Sequence, residues 1–91
     1  MKQQAHVWYS GRVQGIGFRH TARETAQRLK DLAGWVRNLE DGRVELVVEG
    51  EEALVRDFLE QMENGPLCRY IEDAEVTWSN AVGSHDSFDI R

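Results

Sequence analysis

Gly11-Arg12-Val13-Gln14-Gly15-Ile16-Gly17-Phe18-Arg19 separates two different periodicities, and its reading decides the fold. Residues 5–13 are rich in β-formers and alternate, placing Val7, Tyr9 and Gly11 to one side and His6, Trp8 and Ser10 to the other; this predicts a first strand. After the stretch, Ala22, Thr25, Ala26, Leu29, Leu32 and Ala33 recur at helical spacing, the buried stripe of a helix over 21–32. Thr21 and Glu24 stand at capping-box spacing at its start, and Gly34 is placed to terminate it in the left-handed conformation. The glycine loop therefore joins a strand directly to a helix.

Its composition suits an anion. Glycine reaches positive φ and lets backbone approach a ligand closely, and successive N–H groups in such a loop can point together as a nest. The following helix adds its unpaired N-terminal amides and the positive end of its dipole. Arg19 supplies a planar, permanently charged fork that fits two phosphate oxygens at once. The local reading is a cradle for a small anion such as a phosphoryl group; the bland alternative is a turn with an arginine beside it. No Gly-Lys-Ser/Thr triplet occurs, and the third glycine of a dinucleotide fingerprint is replaced by His20, so neither nucleotide motif is present.

Downstream, residues 35–40 and 43–49 read as a second and a third strand joined at Asp41-Gly42, a strong two-residue hairpin signal. In the third strand Val44, Leu46 and Val48 share a face opposite Glu45, Val47 and Glu49, which predicts a wetter second side of the sheet. Glu51 and Glu52 favour the start of a second helix, with Leu54, Val55, Phe58, Leu59 and Met62 as its apolar face. Asn64-Gly65-Pro66 stops it. A fourth strand follows over 71–79 and a short last one over 88–91. The order βαββαβ plus a C-terminal strand predicts an α+β, ferredoxin-like split βαβ sandwich. Two helices lie on one face of a mostly antiparallel sheet, in a single domain over 1–91. Asn38 is then the polar residue most readily brought beside the glycine loop. An asparagine inside a strand is disfavoured, so it ends the strand, caps a turn or performs a task.

Length and charge narrow the function classes. With 91 residues the chain builds one modest core. No run approaches the ~20 apolar residues of a membrane span, and residues 1–6 do not look like a signal peptide. One cysteine, Cys68, cannot form an internal disulfide, which is compatible with the cytoplasm. A net charge of −5 argues against a nucleic-acid binder, and the third strand lacks the aromatics of an RNA-recognition domain. Yet Arg12, Arg19, His20 and Arg23 gather around the loop, while the acidic residues concentrate after position 40, an asymmetry that draws small anions to the first third of the chain. His6, His20, His85 and Cys68 form no metal-ligand spacing. Trp8, Trp35 and Trp78 read as packing groups and not as a base-stacking platform.

Two signatures in register resemble the acylphosphatase family. Gly11-Arg12-Val13-Gln14-Gly15-Ile16-Gly17-Phe18-Arg19 is similar to the first, and Gly34-Trp35-Val36-Arg37-Asn38 with Gly42, Val44 and Gly50 to the second. Gly65-Pro66 and Phe88-Asp89-Ile90-Arg91 also fit. Ile16 stands where the family usually has Val, and Tyr9 where an aliphatic residue is usual. The resemblance implies that the first strand is central in the sheet and the last at an edge. It implies hydrolysis of an acyl phosphate to carboxylate and inorganic phosphate, with Arg19 holding the phosphoryl group, the backbone N–H groups of Gln14, Gly15, Ile16, Gly17 and Phe18 completing the cradle, and Asn38 orienting the attacking water. Inorganic phosphate should be both product and competitive inhibitor. No cofactor or metal is expected, and a monomer is. The other class considered is a non-catalytic small-anion or regulatory module of the same fold.

Overall fold

Alternation along the first strand sets the architecture. In the computed structural model, which describes residues 1–91, β1 runs Lys2–Gly11; Ala5, Val7 and Tyr9 are fully buried, and Gln4, His6, Trp8 and Ser10 between them are half-buried. After β1 come α1 (Phe18–Leu29), β2 (Ala33–Asn38), β3 (Val44–Glu51), α2 (Glu52–Asn64), a 3-10 turn at Cys68–Tyr70, β4 (Ile71–Asn80) and β5 (Phe88–Ile90). The sheet order is β4-β1-β3-β2-β5, antiparallel except for the parallel pair β2–β5. β1 is flanked on both sides and β5 lies at an edge, as the resemblance implies, although the geometric middle of the sheet is β3.

Both helices cover the face that carries Ala5, Val7, Tyr9, Val36, Val44, Leu46 and Val48. α1 contributes Phe18, Ala22 and Ala26 to the same core, and α2 contributes Val55, Phe58, Leu59 and Met62. Phe18 lies against Tyr9 with ring centroids 4.9 Å apart, and Phe58 against Phe88 at 5.7 Å. These aromatic pairs anchor α1 to the end of β1 and α2 to β5. The α+β sandwich read from the sequence is therefore the observed fold.

Several local features differ from the sequence reading. α1 begins at Phe18 and not at Thr21, because burying the Phe18 ring on Tyr9 requires helical geometry three residues earlier. Its N-cap is Gly17, with no side-chain cap. The Thr21 N–H donates to the Gly17 carbonyl at 2.9 Å, and the Thr21 carbonyl accepts from the Thr25 hydroxyl at 2.8 Å, so the Thr21–Glu24 capping box is not used.

The helix also ends sooner, at Leu29, where Lys30 (φ 62°) and Asp31 (φ 57°) reverse the chain. Gly34 does not terminate it but sits inside β2. A Cβ on Gly34 would lie 1.9 Å from the Val47 carbonyl oxygen, so glycine is required there for strand-to-strand approach. The β2–β3 connection spans Leu39–Arg43 and is not a two-residue turn. Leu39 N–H donates to Arg43 (2.8 Å), Gly42 N–H to Leu39 (3.2 Å), and the Asp41 carboxylate accepts from the Arg43 backbone and guanidinium (3.0 and 2.8 Å). Those two bonds, which hold the Asp41 carboxyl below its usual range, favour the longer loop.

The second side of β3 is not wet. Glu45, Val47 and Glu49 are all buried. Glu45 accepts from Arg37 and pairs with His6, each at 2.7 Å. Glu49 accepts the Val82 and Gly83 amides at 3.0 and 3.2 Å. His6 and Trp35 flank Val47 in the sheet register. Cross-strand neighbours thus roof a face that no helix covers.

Candidate active site

The loop between β1 and α1 is defined by its two glycines. Gly15 (φ 79°) and Gly17 (φ 80°) are both left-handed, a conformation that costs other residues roughly 1–2 kcal/mol. The reason for two such residues lies in the backbone donors. Ten backbone hydrogen bonds fall outside the regular elements; they include Arg12 N–H to Tyr70 (3.0 Å) and Thr21 N–H to Gly17 (2.9 Å), and none is donated by residues 13–20. No side-chain acceptor takes one of those amides either. Eight consecutive N–H groups thus have no protein partner, at the start of a helix whose first turn holds no acidic residue. Unpaired amides and an unopposed dipole end together favour an anion.

A cavity of about 200 Å³ opens at this point, lined by Val13, Gly15, Gly17, Phe18, Arg19, His20, Asn38 and Ile90. Arg19 projects from the first turn of α1 and is half-buried; it takes part in none of the molecule's ion pairs or side-chain hydrogen bonds. Asn38 arrives from β2. It pairs with Val44 two residues beyond the Val36–Leu46 pair, so strand alternation puts it on the helix-covered face, at the end of the strand, where it is exposed. Arg19 and Asn38, 19 positions apart in the sequence, therefore line one cavity.

The remaining predicted residues divide by group. Ile16 turns its side chain onto the core, so only its backbone is available to the cavity. Gln14 is half-buried and directs its side-chain amide away from the loop, donating from Nε2 to the carbonyls of Leu39 (2.7 Å) and Arg43 (3.0 Å). Sequence reasoning missed Val13 and Ile90 as lining residues. Ile90 reaches the cavity because β5 pairs in parallel with β2, Val36 opposite Ile90, a register with no local signature. His20 lines the rim, with Nε2 3.0 Å from the Glu24 carboxylate. His6 is on the opposite face of the sheet, on Glu45.

Behind the cavity, Tyr9 is fully buried and its hydroxyl has no hydrogen-bond partner. Burial, reinforced by the Glu63 carboxylate, pushes its phenol far up, so it stays protonated. No three His, Cys, Asp or Glu side chains come together as metal ligands. No helix is long and apolar enough to cross a membrane. A wider trough of about 520 Å³ runs between α1 and α2, but it has no hydrophobic lining and contains neither Arg19, Asn38 nor any residue of the glycine loop.

Fold and site define an α+β split-βαβ sandwich with a hollow lined by Gly15, Gly17 and Arg19 beside one strand asparagine, chemically suited to a small anion. Comparison with known proteins sharpens this. The family model described as Acylphosphatase matches residues 5–90. The acylphosphatase of Roseiflexus sp. (strain RS-1) is 45% identical over 87 residues, which is 96% of this chain and 92% of that protein. The crystal structure of acylphosphatase from Bacillus subtilis superposes with a TM-score of 0.89 at 39% identity, covering 98% of both chains. An acylphosphatase structure from Coxiella burnetii gives a TM-score of 0.82 at 35% identity, covering 99% of this chain and 93% of that one. The chain belongs to the acylphosphatase family. It is an enzyme, a hydrolase with acylphosphatase function, and that function implies an acyl phosphate as substrate and phosphate as product.

Proposed function

We propose that this chain, acting as a single domain, hydrolyses the carboxyl–phosphate bond by in-line attack of a water placed by Asn38 on a phosphoryl group held by Arg19 and the loop amides. The observation that carries the reading is the run of unpaired N–H groups over residues 13–20 around a cavity that also receives Arg19 and Asn38. The amides of Gln14 to Phe18 and the Arg19 fork donate to the equatorial oxygens, where charge shifts in the transition state. The Asn38 amide accepts from the water through its oxygen and donates through its nitrogen. It positions the water without abstracting its proton.

Phosphorus–oxygen bond breaking releases a carboxylate, a weakly basic leaving group that departs without being protonated. This reaction needs no covalent intermediate. Nor does it need a general acid, and none of the chain's histidines is assigned that part. Phosphomonoesters start from a far slower uncatalysed hydrolysis and release a basic alkoxide. Positioning and electrostatics alone do not serve them. We assign a metal-independent monomer in the cytoplasm, with inorganic phosphate competing for the cradle and no nucleic acid or membrane partner.

A hydrolysis panel tests the reading. Acyl phosphates are turned over without added metal and at the same rate with chelator present, alkyl phosphate esters are not, and inorganic phosphate inhibits competitively. Chelator inhibition reversed by a divalent cation, or efficient phosphomonoester hydrolysis, would contradict the mechanism.

A further inference from the structure

The cradle and the water-holding strand are separate pieces of chain, and one side chain joins them. The loop belongs to the β1–α1 connection, whereas Asn38 is the last residue of β2, at the mouth of the β2–β3 turn. Between them stands Gln14. Its Nε2 donates to the Leu39 carbonyl at 2.7 Å and to the Arg43 carbonyl at 3.0 Å. Leu39 follows Asn38 directly. Leu39 and Arg43 are themselves the closing pair of the turn, joined by the Leu39 N–H to Arg43 bond of 2.8 Å.

A primary amide nitrogen has two hydrogens, and both are used here on the two strands of the hairpin neck. The Gln14 side chain therefore fixes the glycine loop to the backbone at the base of Asn38. It is half-buried, so water competes with these bonds less than at an open surface. Gln14's own backbone N–H remains among the unpaired loop amides. The residue faces the cradle through its backbone and the hairpin through its side chain.

The geometry points to Gln14 as a positioning residue that sets the distance between the bound phosphoryl group and the water on Asn38. The inference rests on the role proposed above for Asn38. In-line attack requires the water oxygen within a few tenths of an ångström of its place, and a displacement of about 1 Å costs on the order of 10²-fold in rate. Without the clasp, the loop can still close its amides around phosphate. What is lost is the register of that phosphate against β2. The expected signature is a loss in kcat with phosphate affinity preserved, which a purely structural role would not produce.

Gln14→Met keeps the volume and removes both donors; Gln14→Asn keeps the amide but shortens its reach by one methylene. Each is measured for kcat, KM, competitive inhibition by inorganic phosphate and Tm, alone and combined with Asn38→Ala. Gln14→Met should lower kcat roughly 10- to 100-fold while the phosphate inhibition constant stays within about 3-fold. Gln14→Asn should lower kcat similarly, because the shortened amide no longer reaches both carbonyls. With Asn38→Ala already present, Gln14→Met should change kcat by less than about 2-fold, since the two act on one step.

Unchanged kcat in folded Gln14→Met refutes the inference. So does a parallel rise in the phosphate inhibition constant, which would put the side chain's effect in the cradle itself. An undiminished Gln14→Met effect alongside a damaged Asn38→Ala sinks the positioning role and leaves Asn38's role standing. Wild-type kcat in Asn38→Ala removes both.

Discussion

Replacing Gly17 by alanine isolates backbone conformation as the origin of the cradle. Gly17 sits at φ 80° as the N-cap of α1, and a Cβ built there meets no atom within 4 Å. The substitution therefore adds no clash; its cost is the left-handed backbone alone, ~1–2 kcal/mol for a non-glycine residue. That cost has two places to appear. If the loop keeps its shape, it lowers stability, and Tm falls by about 4–8 °C per kcal/mol in a domain of this size. If the loop relaxes, the amides turn from the anion, and 1–2 kcal/mol becomes a rise of ~5- to 30-fold in the phosphate inhibition constant. Gly17→Asn is the control, since asparagine enters the left-handed region more readily. The assay is initial-rate hydrolysis of an acyl phosphate with phosphate titrated in, beside a thermal melt of each variant. Alanine should lose ~1–2 kcal/mol summed over the two readouts, and asparagine clearly less. Wild-type Tm together with wild-type phosphate inhibition in Gly17→Ala would refute the reasoning. Equal damage by alanine and asparagine would do so too.

Other substitutions probe the remaining parts. Arg19→Lys should recover little of the activity lost in Arg19→Ala, because the bidentate fork is gone; a drop on the order of 10²–10³ or more is expected, and a lysine variant with most of its turnover would end that assignment. Tyr9→Phe removes a fully buried hydroxyl that has no partner. An unsatisfied buried hydroxyl costs ~1–3 kcal/mol, so the variant should melt higher, and a clear fall in Tm would mean the hydroxyl has an internal partner. Burial raises the Glu45 carboxyl, but its hydrogen bonds with His6 and Arg37 outweigh that and hold it below the ordinary value. A depressed folded pKa adds stability above the unfolded pKa of about 4.3 and loses it as pH falls through the folded pKa. Denaturant melts across that acid range should therefore show a shallower decline in Glu45→Gln than in the parent chain, and identical slopes would show that the pair is not linked to folding.

How much was legible in the sequence depends on the range of each interaction. The alternation of Val7 and Tyr9 (broken at Gly11, where the β1–β4 register shifts), the α2 stripe through Met62 and the stop at Asn64-Gly65-Pro66 are set by neighbours a few residues apart, and they reappear in the structure. The two signatures carry the family directly, since each is read within one short segment of chain, 11–19 and 34–50. The failures occurred where a distant contact overrode a local preference. Thr21 and Glu24 had capping-box spacing, yet Phe18 packing on Tyr9 drew the helix start to residue 18. Gly34 looked like a helix stop, but the Val47 carbonyl lying against β2 is what requires a glycine there. Glu45 and Glu49 alternated like solvated positions until His6, Arg37 and the amides of Val82 and Gly83 closed over them.

The site divides the same way. By itself the sequence singled out the candidate anion-binding stretch, because the glycines, Arg19 and the helix start lie within one short length of chain. Asn38 was named from the sequence as the polar residue brought beside the loop, but only the tertiary structure decided that Ile90 joins it in lining the cavity, that both Gly15 and Gly17 are left-handed, and that Gln14 turns its amide to the hairpin. Sheet register places Asn38 and Ile90, and a register is a property of two strands and is written in neither alone.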